Sequence, residues 1–367
     1  MSDILLEDMY KAYIDCRKNK RNKVSTIKFE VNALYNIQKL CFEINTRSYK
    51  LRPAECFIVK DPRLREVFCA NFRDRVVQHF VYNELNPCIE NMLIFDAANC
   101  RKGKGTDFAI DRVSWFLIRE TENYNCRAFY LKVDISGFFM NIDRLLLLDK
   151  VRNIIWNIYE GIYKAELDYL AQIICLSDVT KNCIRISPIS DWKQLPARKT
   201  LFGNKNGLPI GNICSQLFAN LYLNNIDHII KGRHKFYSRY VDDFVIVDRD
   251  RNKLKQTLKI ISKQLSYLGL SINSKTKITD VKYGIEYLGI VIKPHYRFLG
   301  KSRIGRMYKA ICDFDTPERT YARVASRKGM FKRYHGYRFM RNWYSKFPEN
   351  VKSKLKIKSG FDFSLWE

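Results

Sequence analysis

The sequence predicts an α+β fold in which short antiparallel strands pack with amphipathic helices. Residues 129–135 alternate apolar and polar side chains, the pattern of a half-buried strand. Residues 236–248, FYSRYVDDFVIVD, hold Asp242 and Asp243 between aromatic and β-branched runs, which predicts two strands joined by a tight acidic turn. Helical spacing recurs at four apolar residues: Leu217, Leu221, Ile226 and Ile230.

The composition predicts a folded protein with a polyanionic partner. The chain has 367 residues, 46% of them hydrophobic, enough for a large core and two or three subdomains. Its formal net charge of +27 at pH 7 favours nucleic acid as the partner. No apolar run is long enough to span a bilayer, and the N-terminus carries acidic residues where a signal peptide needs basic ones. We therefore expect a cytoplasmic protein with no membrane partner.

The cysteine pattern predicts reduced thiols. Eleven cysteines are scattered singly from Cys16 to Cys312, without a CxxC pair. An odd number in a chain without a signal peptide favours free thiols in an apolar core. The five histidines are also isolated, and none pairs with a cysteine at zinc-ligand spacing. A zinc site is not expected.

The first half of the chain contains two basic segments suited to phosphate. Two short apolar runs, CFIV and EVFCA, predict a hairpin whose turn contains Lys60, Arg63 and Arg65. Residues 99–106, NCRKGKGT, form a Gly-rich basic loop before a helix that starts near Asp107. This loop resembles a phosphate cradle at a helix N-terminus but does not match the P-loop.

Further elements follow from periodicity and turn residues. Residues 1–50 and 142–176 have helical patterns, and residues 207–211, GLPIG, predict a tight turn before a helix. Residues 249–283 predict a helix and a strand, and residues 284–293 a hairpin.

The C-terminal segment is strongly basic. Residues 301–367 hold 17 Lys or Arg residues against 6 Asp or Glu residues, with aromatic residues between them. Such a surplus with aromatic side chains favours a nucleic-acid groove over a solvated surface. These aromatic residues include Phe331, Tyr334, Tyr337, Phe339, Trp343 and Tyr344.

Three carboxylates suggest metal-dependent chemistry. Asp134 ends a strand, and Asp242 and Asp243 form the hairpin turn, so all three can meet on one sheet. Oxygen ligands suit Mg²⁺, and two such ions promote in-line nucleotidyl transfer. A nuclease would use the same ions but has less use for a triphosphate-gripping hairpin. The simplest alternative is a solvated hairpin tip, because Asp is common in turns.

The order of these segments resembles that of reverse transcriptases. A basic hairpin, DISGFF, LPIG before a helix, YVDD, LGLSINSKTK and YLG follow one another along the chain. More narrowly, FRDRVVQHF, CRKGKGT, GFFMNID and IGNICSQLFAN resemble the bacterial clade that contains the polymerases of diversity-generating retroelements.

The resemblance implies a right-hand polymerase fold and an RNA-directed DNA polymerase, bacterial or phage-encoded. Residues 1–50 would be a helical extension and residues 51–128 the fingers with the basic hairpin. Residues 129–293 would be the palm, with a helical insertion at about 142–206, and residues 294–367 a basic helical thumb. The implied partners are a template RNA, the cDNA product and dNTPs.

The resemblance also implies the metal ligands. Asp134 and Asp242 would be the main ligands of two Mg²⁺ ions, for which Mn²⁺ is an alternative. Asp243 would be a supporting carboxylate, and the Ile135 carbonyl a further ligand.

Other residues are assigned to substrate by the same resemblance. Phe139 falls at the steric-gate position that excludes a ribose 2′-hydroxyl, whereas Phe138 is expected in the core. Lys60 and Arg65 would contact the triphosphate. Lys275 would protonate departing pyrophosphate, with Lys277 as the competing choice. The primer grip would be formed by Tyr287, Leu288 and Gly289.

One residue departs from the common family pattern. Ile210 stands where many reverse transcriptases have Gln, whose amide helps to hold the nucleotide against the template base. Relatives in the retroelement clade share the aliphatic residue together with the pair Ser215 and Gln216, and they are error-prone at template adenines. Low fidelity is therefore expected.

The biological role stays open at this point. One hypothesis is mutagenic retrohoming with a structured RNA and a small basic accessory protein. Another is antiviral defence with a dedicated noncoding RNA and a second defence-system protein. A third, from a different class, is an inactive RNA-binding scaffold, which the intact aspartates disfavour.

Overall fold

The structure, a computed structural model, describes residues 3–60, 64–312, 334, 337–347, 349–352, 355–358 and 362–365. Its helices are α1 (Leu6–Arg17), α2 (Val24–Glu30), α3 (Ala33–Asn45), α4 (Phe72–Met92), α5 (Thr106–Glu120), α6 (Phe138–Asn141), α7 (Arg144–Asn157), α8 (Lys164–Leu176), α9 (Ile189–Lys193), α10 (Ile213–Arg233), α11 (Arg251–Tyr267), α12 (Lys301–Cys312), α13 (Tyr337–Ser345) and α14 (Glu349–Lys352). Its strands are β1 (Ala54–Val59), β2 (Arg65–Cys69), β3 (Phe129–Asp134), β4 (Cys183–Arg185), β5 (Phe236–Tyr240), β6 (Asp243–Asp248), β7 (Lys277–Asp280), β8 (Ile285–Tyr287), β9 (Ile290–Lys293), β10 (Tyr296–Leu299), β11 (Leu355–Lys358) and β12 (Asp362–Leu365).

A four-stranded antiparallel sheet of order β5-β6-β3-β7 lies at the centre of the fold. Side chains alternate across it, so Leu131 and Val133 enter the largest apolar core, whereas Tyr130 enters a second core on the opposite face. Helices α4, α10 and α11 contribute to the first core and α5 to the second. The predicted alternation of β3 is therefore present in the fold.

The predicted basic hairpin is present as β1 and β2, which pair in antiparallel register. A third strand, β4, pairs in parallel with β1. β4 comes from the stretch that the sequence placed in the helical insertion of the palm, so the described fold joins part of residues 142–206 to this hairpin. Arg63, predicted in the hairpin turn, lies outside the described residues.

The C-terminal region is less purely helical than predicted. Trp343 of α13 is buried, and its indole Nε1 donates a hydrogen bond to the carbonyl of Met307 in α12, at 3.1 Å. Beyond these helices, β11 and β12 form an antiparallel hairpin that the sequence analysis missed. Phe331 and the side chains of Tyr337 and Phe339 lie outside the described residues.

Among the residues that the structure describes, no helix combines the length and apolarity needed to cross a bilayer. In the same residues ten cysteines have free thiols, five of them buried: Cys16, Cys41, Cys56, Cys175 and Cys214.

Candidate active site

Three aspartates meet at one end of the central sheet. The β3–β6 register places Asp134 directly opposite Asp243, and the β5–β6 register pairs Asp243 with Tyr240. Val241 and Asp242 thus form a two-residue turn. Val241 has φ +58°, which is costly for a β-branched residue. The sheet therefore brings together carboxylates that lie more than a hundred residues apart in sequence.

The charge at this turn is poorly compensated by the protein. Burial raises the pKa of Asp242 to about 7, and the negative charges of Asp243 and Asp134 add to this effect. The positive charge of Arg65, at the start of β2, acts in the opposite direction. Arg65 was predicted to contact triphosphate, and its electrostatic effect on Asp242 indicates that β2 reaches toward the carboxylates.

Two polar residues that the sequence analysis missed hold the carboxylates. Asn273 donates a side-chain hydrogen bond to Asp134 Oδ2 at 2.9 Å, and its backbone N–H donates to the Asp134 carbonyl at 2.8 Å. Lys132 is two residues before Asp134, so the two side chains lie on the same face of β3. Its Nζ is 3.8 Å from Asp243 Oδ1 and donates to the Glu286 carbonyl at 3.1 Å.

A buried ion pair between Arg239 and Asp227 stabilises the acidic turn. Arg239 and Asp227 are 1% and 0% exposed, and Arg239 Nη2 is 2.6 Å from Asp227 Oδ2. Arg239 Nε also donates to this carboxylate, which gives a two-point contact. Arg239 Nη1 donates to the carbonyl of Val241 at 3.2 Å and to Asn220 Oδ1 at 3.1 Å. Because the guanidinium is fixed at both ends, it holds the strained turn in place.

The donor set suits hard cations shared with a substrate. Within the described ranges, no group of three or more His, Cys, Asp or Glu side chains is placed to hold a metal ion by itself. Mg²⁺ does not need one, since it characteristically binds one or two carboxylates and completes its shell with phosphates and water. The mutual repulsion at Asp242, Asp243 and Asp134 is the electrostatic condition that a divalent cation would relieve. The residues therefore fit such ions.

The predicted Ile135 ligand lies just past β3. Ile135 forms an isolated antiparallel bridge with Ile272. In this bridge the N–H of Asn273 donates to the Asp134 carbonyl and the N–H of Ser136 donates to the Ser271 carbonyl. The Ile135 carbonyl takes no part in these hydrogen bonds. Its side chain is buried in the main core.

Lys275 and Lys277 are separated by a change of register. Lys277 pairs with Lys132 across β7 and β3, whereas Asn273 lies beside Asp134. Residues 274–276 bulge out between these two contacts. Both lysine side chains are exposed. Among the described residues, no hydrogen bond or ion pair joins either lysine to the three carboxylates.

Phe139, five residues beyond Asp134, and Ile210 pack against the same small apolar cluster. Both are partly buried and pack on a cluster that includes Phe68 of β2 and Met140 of α6. The backbone N–H of Leu208 donates to the Phe139 carbonyl at 2.7 Å, and that of Phe68 donates to the Ile210 carbonyl at 2.8 Å. Phe138, in contrast, is 2% exposed and belongs to the main core.

The turn at residues 207–211 touches the β1–β2 hairpin closely. Gly211 has φ +120°, and a Cβ there would lie 2.8 Å from the Phe68 carbonyl oxygen and 2.9 Å from Val67 Cγ1. Only glycine fits this approach without displacement. At the far end of β1, Lys60 is 2.8 Å from Asp191 of α9. In the described structure the Lys60 ammonium thus pairs with α9.

The Gly-rich loop at residues 99–106 lies against α10 and the acidic hairpin. The Cys100 thiol donates to Gln216 Oε1, and Asn220 Nδ2 donates to the Asn99 carbonyl at 3.0 Å. Thr106 Oγ1 donates to the Tyr240 hydroxyl at 3.3 Å. Gln216 is thereby placed next to a loop that the sequence analysis had linked to phosphate.

A family comparison decides the identity of this arrangement. The family model described as "Reverse transcriptase (RNA-dependent DNA polymerase)" matches residues 58–292, more than half of the chain. The chain belongs to the reverse transcriptase family. The α+β architecture is that of its right-hand polymerase fold.

Comparisons with individual proteins are weaker. No curated protein matches the chain. Apo telomerase from Candida tropicalis is 13% identical with a TM-score of 0.49, covering 75% of this chain and 51% of that one; a form truncated from its C-terminal domain is 14% identical with a TM-score of 0.48, covering 66% and 54%. Candida albicans telomerase in complex with the TWJ fragment of telomeric RNA is 12% identical with a TM-score of 0.47, covering 84% and 62%. The chain thus spans roughly half to three-fifths of these telomerases.

The hairpin assigned to the primer grip of this reverse transcriptase is formed by β8 and β9. Leu288 and Gly289 form its two-residue turn, with φ of +49° and +77°. Arg303 of α12 donates to the Leu288 carbonyl at 2.7 Å. Tyr287 is buried in the second core.

Proposed function

We propose that this chain is an RNA-directed DNA polymerase that copies a structured or noncoding RNA with low fidelity. The observation that carries the proposal is the convergence of Asp134, Asp242 and Asp243 on one sheet end, together with the apolar cluster against which Phe139 and Ile210 pack. That arrangement supplies carboxylates for phosphate chemistry and an apolar surface for a nucleotide. The proposed division keeps residues 51–128 as fingers, with β4 added, residues 129–293 as palm and 294–367 as thumb.

In this proposal the protein positions a dNTP against a primer end. Two bound Mg²⁺ ions would lower the pKa of the attacking 3′-hydroxyl and stabilise the leaving pyrophosphate. Asp134 and Asp242 would hold these ions, with Asp243 and the Ile135 carbonyl as further ligands. Arg65 and Lys60 neutralise triphosphate charge, and Lys275 or Lys277 supplies a proton to pyrophosphate. Lys60 would have to leave Asp191 for this role; the Lys60 ammonium is exposed, but the Asp191 carboxylate is 9% exposed, so the triphosphate contact must offset the loss of this pair.

Primer extension tests the proposed activity. We expect the wild type to extend a DNA primer on an RNA template and Asp242→Asn to lose nearly all incorporation, because the variant lacks a metal-binding charge. Asp149→Asn, at an exposed position in α7, is the matched control and should remain active. Equal incorporation by wild type and Asp242→Asn would refute the polymerase proposal and favour a binding scaffold.

Ile210 is the proposed cause of low fidelity. Its side chain packs against the apolar cluster that contains Phe68 and cannot replace the hydrogen bonds of an amide. We expect Ile210→Gln to reduce misincorporation at template adenines by on the order of tenfold. A tenfold change corresponds to about 1.4 kcal/mol, which is close to the net free energy of one hydrogen bond. Sequencing the cDNA from an adenine-containing template measures this. An unchanged misincorporation spectrum would show that Ile210 does not set fidelity.

The proposed role is mutagenic copying within a retroelement in the cytoplasm, with a small basic accessory protein as a partner. Purifying the protein with its bound RNA and sequencing that RNA tests the dedicated template. One strongly enriched RNA with a repeat in a neighbouring variable gene is the expected result. An enriched RNA without such a repeat would favour the antiviral role, and a sample of bulk cellular RNA would contradict a dedicated template.

A further inference from the structure

Helix α11 carries an unusual row of positive charge. Its 17 residues include five Lys or Arg and no Asp or Glu. Arg251, Lys255, Lys259 and Lys263 recur at every fourth position, which places them along one side of the helix about 6 Å apart. All four are exposed. We call these four residues the α11 basic row.

The α11 basic row faces away from the catalytic carboxylates. The opposite side of α11 buries Leu254, Ile261 and Leu265 in the main core. That core also receives Leu131 and Val133, which point to the face of β3 opposite Asp134. The sheet therefore lies between the row and the carboxylates of the active site.

Within the described parts of the chain, no acidic side chain forms an ion pair with a member of the row. Among the described residues, Lys253 is the member of α11 that forms an ion pair, with Asp248 at 3.1 Å, and it stands outside the row. Helix α1 differs, because its Lys11 is paired with both Glu7 and Asp8. Like charges four residues apart destabilise a helix by about 0.2–0.5 kcal/mol per pair. An uncompensated row is the arrangement expected where an external polyanion supplies the opposite charge.

The chemistry of this face selects a nucleic-acid backbone over a lipid surface. The exposed residues beside the row are polar, as at Gln256, Ser262 and Ser266, so this face lacks the apolar stripe that an interfacial membrane helix needs. Tyr267 continues the four-residue spacing at the end of the row and is 65% exposed, with Lys263 Nζ 5.9 Å from its ring centroid. A cation row that ends in an exposed aromatic ring suits phosphates followed by an unpaired base.

We propose that the α11 basic row is a second RNA-binding surface, which holds the phosphate backbone of a structured part of the template RNA outside the catalytic cleft. This inference rests on the proposed function, because a polymerase that copies a structured RNA must hold the part of that RNA that is not being copied. Each lysine acts as a point charge on a phosphate and gives affinity without sequence selectivity.

The test replaces three lysines together, Lys255→Gln, Lys259→Gln and Lys263→Gln. Glutamine has nearly the helix propensity of lysine, so α11 should form. Fluorescence anisotropy over a series of salt concentrations measures affinity for an RNA hairpin without a primer. We expect the slope of log K against log salt to decrease in magnitude by about two to three, one per lost phosphate contact. Extension of a short primer–template that fits within the cleft should be unchanged.

A matched variant removes three exposed lysines elsewhere, Lys39→Gln, Lys181→Gln and Lys282→Gln, and changes the net charge equally. It should leave most of the salt slope intact. An unchanged slope in the α11 variant, or an equal loss in the matched variant, would refute a specific surface. Preferential loss of binding to an acidic protein segment, with RNA affinity intact, would also refute it. Because hairpin binding is measured without catalysis, absence of primer extension by the wild type would refute the proposed function separately.

Discussion

Asp242 combines burial with like charge, and this combination makes the stability of the metal-free protein depend on pH. Its pKa rises from an ordinary 3.8 to about 7 on folding. Between these values the folded protein holds a proton that the unfolded chain has lost. This contribution to stability is therefore fully present below about pH 4 and is lost as the pH rises through 7.

Asp242→Asn tests this dependence, because an amide stays neutral at every pH. In the presence of a chelator, we expect the free energy of unfolding of the variant to exceed that of the wild type increasingly from pH 5 to pH 8. Denaturant titrations at each pH measure the difference, with Asp149→Asn as the control. Parallel pH profiles for wild type and Asp242→Asn would mean that burial and the neighbouring carboxylates do not raise the pKa of Asp242.

Two adjacent phenylalanines should separate selectivity from stability. Phe139 is partly buried against the same apolar cluster as Ile210, whereas Phe138 is buried in the main core. We expect Phe139→Ala to raise incorporation of rNTPs relative to dNTPs on the order of tenfold to a hundredfold, because the ring no longer excludes a hydroxyl. Phe138→Ala should instead lower the free energy of unfolding by about 3–5 kcal/mol and leave sugar selectivity unchanged.

Competition assays with dNTP and rNTP mixtures measure this selectivity, and thermal unfolding measures the stability. Equal sugar selectivity in Phe139→Ala and wild type would assign Phe139 to packing alone.

At the same scale, sequence patterns located the acidic residues but not their supports. Asp134, Asp242 and Asp243 stand at strand ends, which local alternation reveals. Asn273 and Asp227 were missed because nothing near them in sequence signals their contacts with Asp134 and Arg239.

At the scale of elements, the contact between the 207–211 turn and strand β2 depends on one glycine. Gly211→Ala would drive a methyl group into the Phe68 carbonyl and Val67. Gly203 also has positive φ, at +78°, but a Cβ there meets no atom within 4 Å. Gly203→Ala is therefore a control for backbone strain alone, which costs about 1–2 kcal/mol.

We expect Gly211→Ala to raise the KM for dNTP by about tenfold or more, since displacing β2 moves Arg65 and the Ile210 cluster from the nucleotide. Steady-state primer extension measures KM and kcat for both variants. If Gly203→Ala and Gly211→Ala changed the KM for dNTP equally, the close approach of Gly211 to Phe68 would not contribute to nucleotide binding.

Most elements with clear periodicity were predicted, including α10, α11 and the β8–β9 hairpin. β4 was missed because three residues in a polar stretch carry no repeat, and the strand exists through its pairing with β1. The β11–β12 hairpin was missed for a related reason, since its lysine-rich sequence was assigned to helix.

At the scale of the whole molecule, the net charge of +27 implies strongly salt-dependent binding to nucleic acid. We expect affinity for a primer–template to fall by about 10³-fold or more between roughly 50 mM and 200 mM salt, as counterions are released from the backbone. Anisotropy titrations measure this fall. The kcat at saturating primer–template serves as the control and should change little, whereas a salt-independent Kd would contradict electrostatic binding.

The amino-acid sequence by itself determined the family, the three carboxylates, the basic hairpin and the absence of glutamine at Ile210, because each depends on residues a few positions apart. The tertiary structure decided which residues come together: Asp134 opposite Asp243, Arg239 bonded to the carbonyl of Val241 in the acidic turn, and Phe139 and Ile210 on one apolar cluster. These contacts join segments far apart in the chain, and strand register and helix packing set them rather than any local repeat. The same packing turned the lysines of α11 away from the active site, which periodicity alone could not indicate.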